Sequence, residues 1–195
     1  MSKPLWINKK KGGYTFNILN LEYPSIEEEI ISEIDSGVDV YYDRRWNITD
    51  TFCDFLLEQP SWVENRSVLI IGAGIGMETV VIGRLCGKLY VNDLAPIALD
   101  LCARQLKKNS IHNFELKPGR YENLSFPSVD IVIGSYLVYN RDTAESMRLF
   151  LSRGPGQVLL MNEDHPEFRG LLDDFPNNTC LMKQDGFRCV QFSGD

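Results

Sequence analysis

Three glycines at alternate positions, in Gly72-Ala73-Gly74-Ile75-Gly76, and a carboxylate at Asp93 are the residues whose types and spacing point most directly to chemistry. Glycine lets the backbone turn sharply and brings a ligand close to the main chain. The turn follows an unbroken apolar run at 67–71 and opens a helical stretch at 77–86. The free amides at the start of a helix favour acceptor atoms or negative charge. Asp93 follows the next apolar run, 21 residues after Gly72, where a carboxylate accepts both hydroxyl hydrogens of a ribose. Together these features indicate a nucleoside ligand. The competing reading is a tight strand-to-helix turn that binds nothing.

Two nucleoside ligands compete for such a turn. A dinucleotide fingerprint, G-x-G-x-x-G, places its third glycine at position 77, which here is Met77; the third glycine is Gly76. The G-x-G-x-G form leaves no room for a pyrophosphate and favours S-adenosylmethionine over a nicotinamide dinucleotide. A second set of residues lies after a later apolar run, in the loop from Ser135 to Asn140. Tyr136 and Tyr139 there either line a pocket for a cationic or amine group or pack under the following helix. His165, beside Glu163 and Asp164, is either a substrate contact or part of a solvated loop. His112 reads as an exposed residue at a helix end.

These residues need a scaffold, and the alternation of element types supplies one. A helix is expected at 25–36, with Ser25 as cap and Glu28 completing a capping box. In another helix, at 49–59, Phe52, Phe55 and Leu56 share a face. Strands at 67–71, 88–92, 114–117, 129–134 and 157–162 alternate with helices at 77–86, 96–108, 142–152 (capped by Asp142) and 166–174. Two final strands flank Asp185-Gly186, a hairpin turn signal. Alternation of this kind implies an α/β, doubly wound, mostly parallel seven-strand sheet closed by a C-terminal antiparallel hairpin. Residues 1–45, with a strand at 14–23, form an N-terminal extension packed on a ligand-binding domain at 46–195, the whole being one compact unit.

Composition narrows the class. The net charge of −7 over 195 residues argues against a nucleic-acid or anionic-membrane binder, since both need clustered positive charge. The one basic run, Lys9-Lys10-Lys11, reads as a solvated tail rather than a phosphate contact. Five cysteines, odd in number and never spaced Cys-x-x-Cys, argue against a disulfide framework or a zinc site and suit a reducing cytoplasm. No metal is expected. The N-terminus lacks the apolar run of a signal peptide, and no stretch is long and apolar enough to span a membrane.

On these residues the chain resembles the class I S-adenosylmethionine-dependent methyltransferases, which have a Rossmann-like fold. Within that superfamily it is most similar to the family-16 protein-lysine methyltransferases, particularly the electron-transfer flavoprotein β-subunit group. The closer likeness is carried by VDVYYDRRW (38–46), YVNDLAPIAL (90–99) and VLLMNEDHPEF (158–168). The resemblance implies that Trp46 lies against S-adenosylmethionine, that Gly72, Gly74 and Gly76 hold its methionine part and that Asp93 holds its ribose; the competing reading of Trp46 is a core aromatic between the N-terminal extension and the sheet. Ala73, Leu94 and Ser135 are read as further cofactor contacts, and Tyr136 and Tyr139 as lining the methyl-transfer pocket. The acceptor the resemblance implies is a protein side chain, lysine-type, with a small-molecule N- or O-acceptor or a non-catalytic cofactor-binding role as alternatives. The sequence departs from the family pattern at three points. Ile70 replaces an acid before the first glycine, Lys117-Pro118-Gly119-Arg120 lacks an acid or amide for adenine, and Tyr136 stands where an Asp-x-x-Tyr pattern has its acid.

Overall fold

A computed structural model describes residues 3–37, 41–42, 47–125 and 128–193. The chain opens with a hairpin of β1 (Trp6–Lys11) and β2 (Tyr14–Leu19), followed by α1 (Pro24–Asp35) and α2 (Asn47–Glu58). The alternating series comes next: β3 (Ser67–Ile71), α3 (Met77–Leu85), β4 (Lys88–Asp93), α4 (Pro96–Lys108), β5 (Phe114–Pro118), β6 (Ile131–Ser135), α5 (Arg141–Leu151), β7 (Val158–Glu163) and α6 (Pro166–Asp174). The hairpin β8 (Asn178–Gln184) and β9 (Phe187–Phe192) closes the chain.

The main sheet has seven strands in the order β5-β4-β3-β6-β7-β9-β8. β9 runs antiparallel to β7 and β8, and the remaining pairs are parallel. Asp185 and Gly186 both take left-handed backbone, φ 49° and 82°, as a two-residue type I′ turn requires. The central strands are apolar on both sides because both faces are covered. On one face Val68, Ile70, Val91 and Ile133 pack with Phe52, Phe55 and Leu56 of α2 and with α3. On the other, Leu69, Ile71 and Val132 meet Met147 and Phe150 of α5 and Phe168 of α6. The strand order reverses between β3 and β6, and the carboxyl ends of those two strands flank an open crevice, the usual ligand position in such sheets.

Three local expectations are corrected. Helix α1 begins one residue early, at Pro24, and is not capped by Ser25. Proline is preset for the first helical position, and the Tyr23 carbonyl accepts from Ile26 and Glu27. Helix α5 is capped by Asn140, not Asp142: the Asn140 side chain accepts from the Thr143 amide in a reciprocal capping box. Residues 38–40 lie outside those described, and residues 41–42 show no regular structure.

The third correction is the basic run. Lys9-Lys10-Lys11 belongs to β1 rather than to a solvated tail. Lys9 pairs with Asp50, and Lys11 with Asp54 at 2.6 Å. The spacings match: residues two apart on a strand and four apart on a helix both advance about 6 Å.

The hairpin is tied to the main body by amide side chains. Asn109 of α4 accepts from the Asn17 amide at 2.8 Å and donates to the Asn17 carbonyl at 2.8 Å. Gln105, fully buried, accepts from the Leu19 amide at 2.8 Å. One edge of β2 thereby finds the partners that a neighbouring strand would give it.

Candidate cofactor and acceptor site

The crevice opens into a cavity of about 760 Å³, within the range that holds a ligand of nucleoside size. Gly72, Ala73, Gly74, Gly76, Asp93, Leu94, Ser135, Tyr136 and Tyr139 all border it. Trp46 lies outside the described residues.

At one end the glycine turn sits on three left-handed residues, with φ of 56°, 53° and 67° at Gly72, Gly74 and Gly76. Two of these positions also lack space for a side chain. A Cβ on Gly72 would lie 2.4 Å from Leu137 Cδ2, and one on Gly76 would lie 2.4 Å from Thr79 Oγ1. The turn is held by groups that no local motif announces. Gln105 Nε2 donates to the carbonyls of Ile75 and Gly76 at 2.8 and 3.0 Å. The Ala73 amide donates to the Asn92 carbonyl at 2.9 Å. Glu33 of α1, buried, accepts from the Ile97 amide at 2.8 Å at the start of α4 and also from the Tyr42 hydroxyl, and Tyr42 Cβ lies over Gly74.

Asp93 completes this end. Its Oδ2 accepts from the Gly74 amide at 2.7 Å and its Oδ1 from the Ala95 amide at 2.9 Å. Burial raises its pKa above the ordinary carboxylate value; the Ala95, Gly74 and Leu94 amides oppose that shift and Glu33 adds to it. Each carboxylate oxygen keeps a second lone pair, so both can still accept a hydroxyl hydrogen from the cavity. Leu94 is 49% exposed at the rim.

The other end is the loop after β6. Ser135 Oγ donates to Glu78 Oε1 at 2.7 Å. Tyr136 takes left-handed backbone at φ 53°, a conformation that side chains other than glycine, Asn and Asp rarely adopt and one worth testing for function. Its ring stacks on Tyr139 with centroids 6.0 Å apart, and Tyr139 meets Tyr41 at 5.2 Å. The Tyr136 hydroxyl donates to Glu163 Oε2 at 3.1 Å, and burial together with that carboxylate raises its pKa. Behind the loop, buried Asn162 accepts from the Val138 amide at 3.0 Å and donates to the Val138 carbonyl at 2.6 Å. His165 Nε2 lies 2.5 Å from the same carbonyl and Nδ1 lies 2.9 Å from Glu167. Both its nitrogens thus have partners within the protein, Nε2 on the tyrosine loop and Nδ1 on α6. His112 is exposed.

The charge along the cavity is predominantly negative. Among the described residues Asp50, Glu78, Asp93, Glu122 and Asp142 border it, against Lys9 and Arg120. Lys9 is already paired with Asp50, and Arg120 lies 3.2 Å from Glu122. The buried thiols are unsuited to nucleophilic work at neutral pH: burial pushes Cys86 up to about 11 and Cys102 and Cys189 up to about 12. Among the described residues no group of three or more His, Cys, Asp or Glu could hold a metal ion, and no helix is long and apolar enough to cross a membrane.

The sequence reading missed Lys9, Gln105, Glu122 and Asn162. An acid does follow the third parallel strand: Glu122 lies two residues beyond the stretch 117–120 that was read for one. Gln105 and Asn162 carried a weaker signal, as polar residues at otherwise apolar positions of a helix and a strand.

No protein-family model matches the chain. Among curated proteins it is 27% identical over 138 residues to the mouse electron transfer flavoprotein beta subunit lysine methyltransferase, an alignment covering 68% of this chain and 54% of that protein. It is 26% identical over 108 residues to a probable ribosomal RNA small subunit methyltransferase A of Methanosphaera stadtmanae, covering 55% of this chain and 40% of the relative. The chain thus spans about half the length, or less, of these curated relatives. Among solved structures, the T. thermophilus 16S rRNA N2 methyltransferase in complex with AdoMet and guanosine superposes with a TM-score of 0.67 at 17% identity, covering 99% of this chain and 52% of that one. The fold is the Rossmann-like fold of class I methyltransferases, and by sequence the chain resembles the electron-transfer-flavoprotein lysine methyltransferase group.

Proposed function

We propose that this chain binds S-adenosylmethionine and directs its methyl group to an amine on a protein side chain, of the lysine type. One observation carries the reading: a single cavity joins a ribose-type carboxylate and glycine turn at one end to a tyrosine loop at the other, with acids in excess along it. The cofactor, when bound, supplies an electrophilic methyl group on a sulfonium. The chain's residues then have three tasks. Asp93 holds the ribose hydroxyls, and the glycine turn lets the nucleoside lie close against the main chain. Glu122 offers an acceptor to the exocyclic amine of adenine, the contact absent at 117–120. The Tyr136–Tyr139 pair flanks an incoming aliphatic amine, excludes water from it and orients its lone pair through the hydroxyls. An amine must arrive neutral to react, and Glu163, hydrogen-bonded to Tyr136, is placed to take up the released proton through that hydroxyl. Residues 3–37 work with this site as part of the same unit.

RNA is the second reading, because relatives in sequence and fold include ribosomal RNA methyltransferases. The acid excess in the cavity and the net charge of −7 weigh against a polyphosphate acceptor. The test is labelled S-adenosylmethionine added to a fractionated extract. Protease-sensitive label supports the protein acceptor. Ribonuclease-sensitive label or label in small molecules overturns that acceptor, and no label anywhere favours a non-catalytic relative. A Tyr139→Phe variant with full turnover removes the hydroxyl role assigned to that residue.

A further inference from the structure

We infer that Tyr41, on the connection between α1 and α2, is an acceptor-binding residue: with Tyr139 and Tyr136 it forms one wall of three rings whose face takes an ammonium head group. This rests on the methyl-transfer reading above and adds a residue from outside the parallel sheet. Tyr41 and Tyr42 are adjacent in the chain and turn to opposite ends of the cavity. The Tyr42 hydroxyl donates to buried Glu33, which also accepts from the Ile97 amide at 2.8 Å, and Tyr42 Cβ lies over the glycine turn at Gly74. Tyr41 instead meets Tyr139 of the loop after β6. With Tyr42 held by α1, which is itself tied to α4, Tyr41 has a fixed root from which to reach the acceptor end.

The three rings make contact in a row. Tyr139 lies in the middle, its centroid 5.2 Å from Tyr41 at an interplanar angle of 47° and 6.0 Å from Tyr136 at 14°. Both separations are those of rings leaning directly on one another. A nucleobase held between two rings needs about 3.5 Å on either side, hence parallel rings about 7 Å apart, and neither pair is spaced for that. The row therefore works through its faces rather than as a slot. All three tyrosines border the cavity, and Tyr41 is 51% exposed, which leaves ring surface for a ligand. An aromatic face attracts a cation within about 6 Å of its centroid, and a ring alongside extends the attractive surface. Two carboxylates reinforce the sign: Glu163 accepts from the Tyr136 hydroxyl at 3.1 Å, and Asp142 borders the same cavity. An ammonium arriving along the wall exchanges water for ring faces of favourable potential, whereas a neutral group of the same shape gains apolar contact alone. Tyr41 thereby selects the head group of the acceptor.

NMR titration of the intact chain, saturated with S-adenosylhomocysteine, tests the assignment with two soluble probes: choline, a quaternary ammonium, and 3,3-dimethyl-1-butanol, its neutral isostere. Wild-type protein should bind choline at least about threefold more tightly than the alcohol, with shifts at the ring protons of Tyr41, Tyr136 and Tyr139. Tyr41→Phe should keep that preference, and Tyr41→Leu, which retains apolar bulk without the ring, should lose most of it. Both variants should bind S-adenosylhomocysteine within about twofold of wild type. Wild type that binds choline no better than the alcohol overturns the inference, as does a Tyr41→Leu variant with the full choline preference, or guanosine that binds the rings more tightly than choline. Failure of S-adenosylhomocysteine to bind wild type sinks the cofactor reading itself, whereas cofactor binding without a choline preference sinks only the wall. The wild-type comparison of the two probes decides the matter even if a variant does not fold.

Discussion

At the Gly72–Gly76 end of the cavity the left-handed backbone is carried by glycines, which bring the main chain itself to the cavity. At the Ser135–Asn140 end it is carried by Tyr136, and the facing groups are side chains. The first arrangement suits a ligand common to many proteins, because main-chain amides hold their positions whatever the neighbouring side chains are. The second suits a substrate peculiar to this chain, because each ring and carboxylate can be exchanged without altering the turn. The supports differ too. The turn is braced from below by Gln105 and Asn92, and the tyrosine loop from behind by Asn162 and His165. If the two ends are separable, mutations at one should spare the function of the other.

The largest effect is expected at Asp93. Asp93→Ala should weaken S-adenosylhomocysteine by about 100-fold or more, since each hydrogen bond to a charged group contributes roughly 1.5–3 kcal/mol. Calorimetry giving an affinity within threefold of wild type would break the comparison at its firmer end. Next comes Asn162→Leu, which strips the buried Val138 amide and carbonyl of a shared partner. Denaturant unfolding should show a loss of about 2–3 kcal/mol, with turnover reduced and S-adenosylhomocysteine affinity unchanged. An equal fall in cofactor affinity would show that the ends are coupled. Tyr136→Gly should release about 1–2 kcal/mol of left-handed strain and lose a similar amount of ring packing. Stability should therefore hardly move in thermal melts while turnover falls.

The smallest effect, and the sharpest contrast, is in pH. Asp164, beside the tyrosine loop's support, is held down to about 2 by Arg188 above all and also by Lys183. A carboxyl lowered in the folded state adds stability that is present above its unfolded value of 3.8 and lost as pH falls towards 2. Asp93 has the opposite sign: its raised folded pKa, caused first by burial, means that it opposes folding when ionised and ceases to do so when protonated. Acidification should loosen amide exchange around 162–165 while leaving the Gly72–Gly76 turn protected. Asp164→Asn should abolish that acid-dependent loosening. Uniform loss of protection at both ends would contradict the division.

Much of this could be read along the chain. The unbroken apolar runs at β3, β6 and β7 signalled strands buried on both faces, and the Asp185-Gly186 turn fixed the closing hairpin. The motif 72–76 located the turn because its glycines answer a local backbone requirement. The basic run at 9–11 was misread for the converse reason. Its partners Asp50 and Asp54 lie about 40 positions away, and a run of like charges looks solvated until its counter-charges are in place. The starts of α1 and α5 turned on which of two residues two positions apart fitted the incoming chain, Tyr23 or Ser25 and Asn140 or Asp142, a choice that propensity alone does not make.

The amino-acid order by itself determined the element series, the glycine turn and the position of Asp93, because each depends on contacts within a few residues or on a strict periodicity. Only the tertiary structure decided that Lys9 meets Asp50, that Ser135 meets Glu78, that Gln105 braces the turn, and that Asn162 and His165 hold the tyrosine loop. Those groupings join elements far apart in the chain. Which charge meets which is set by strand order and helix packing, quantities that no local spacing encodes.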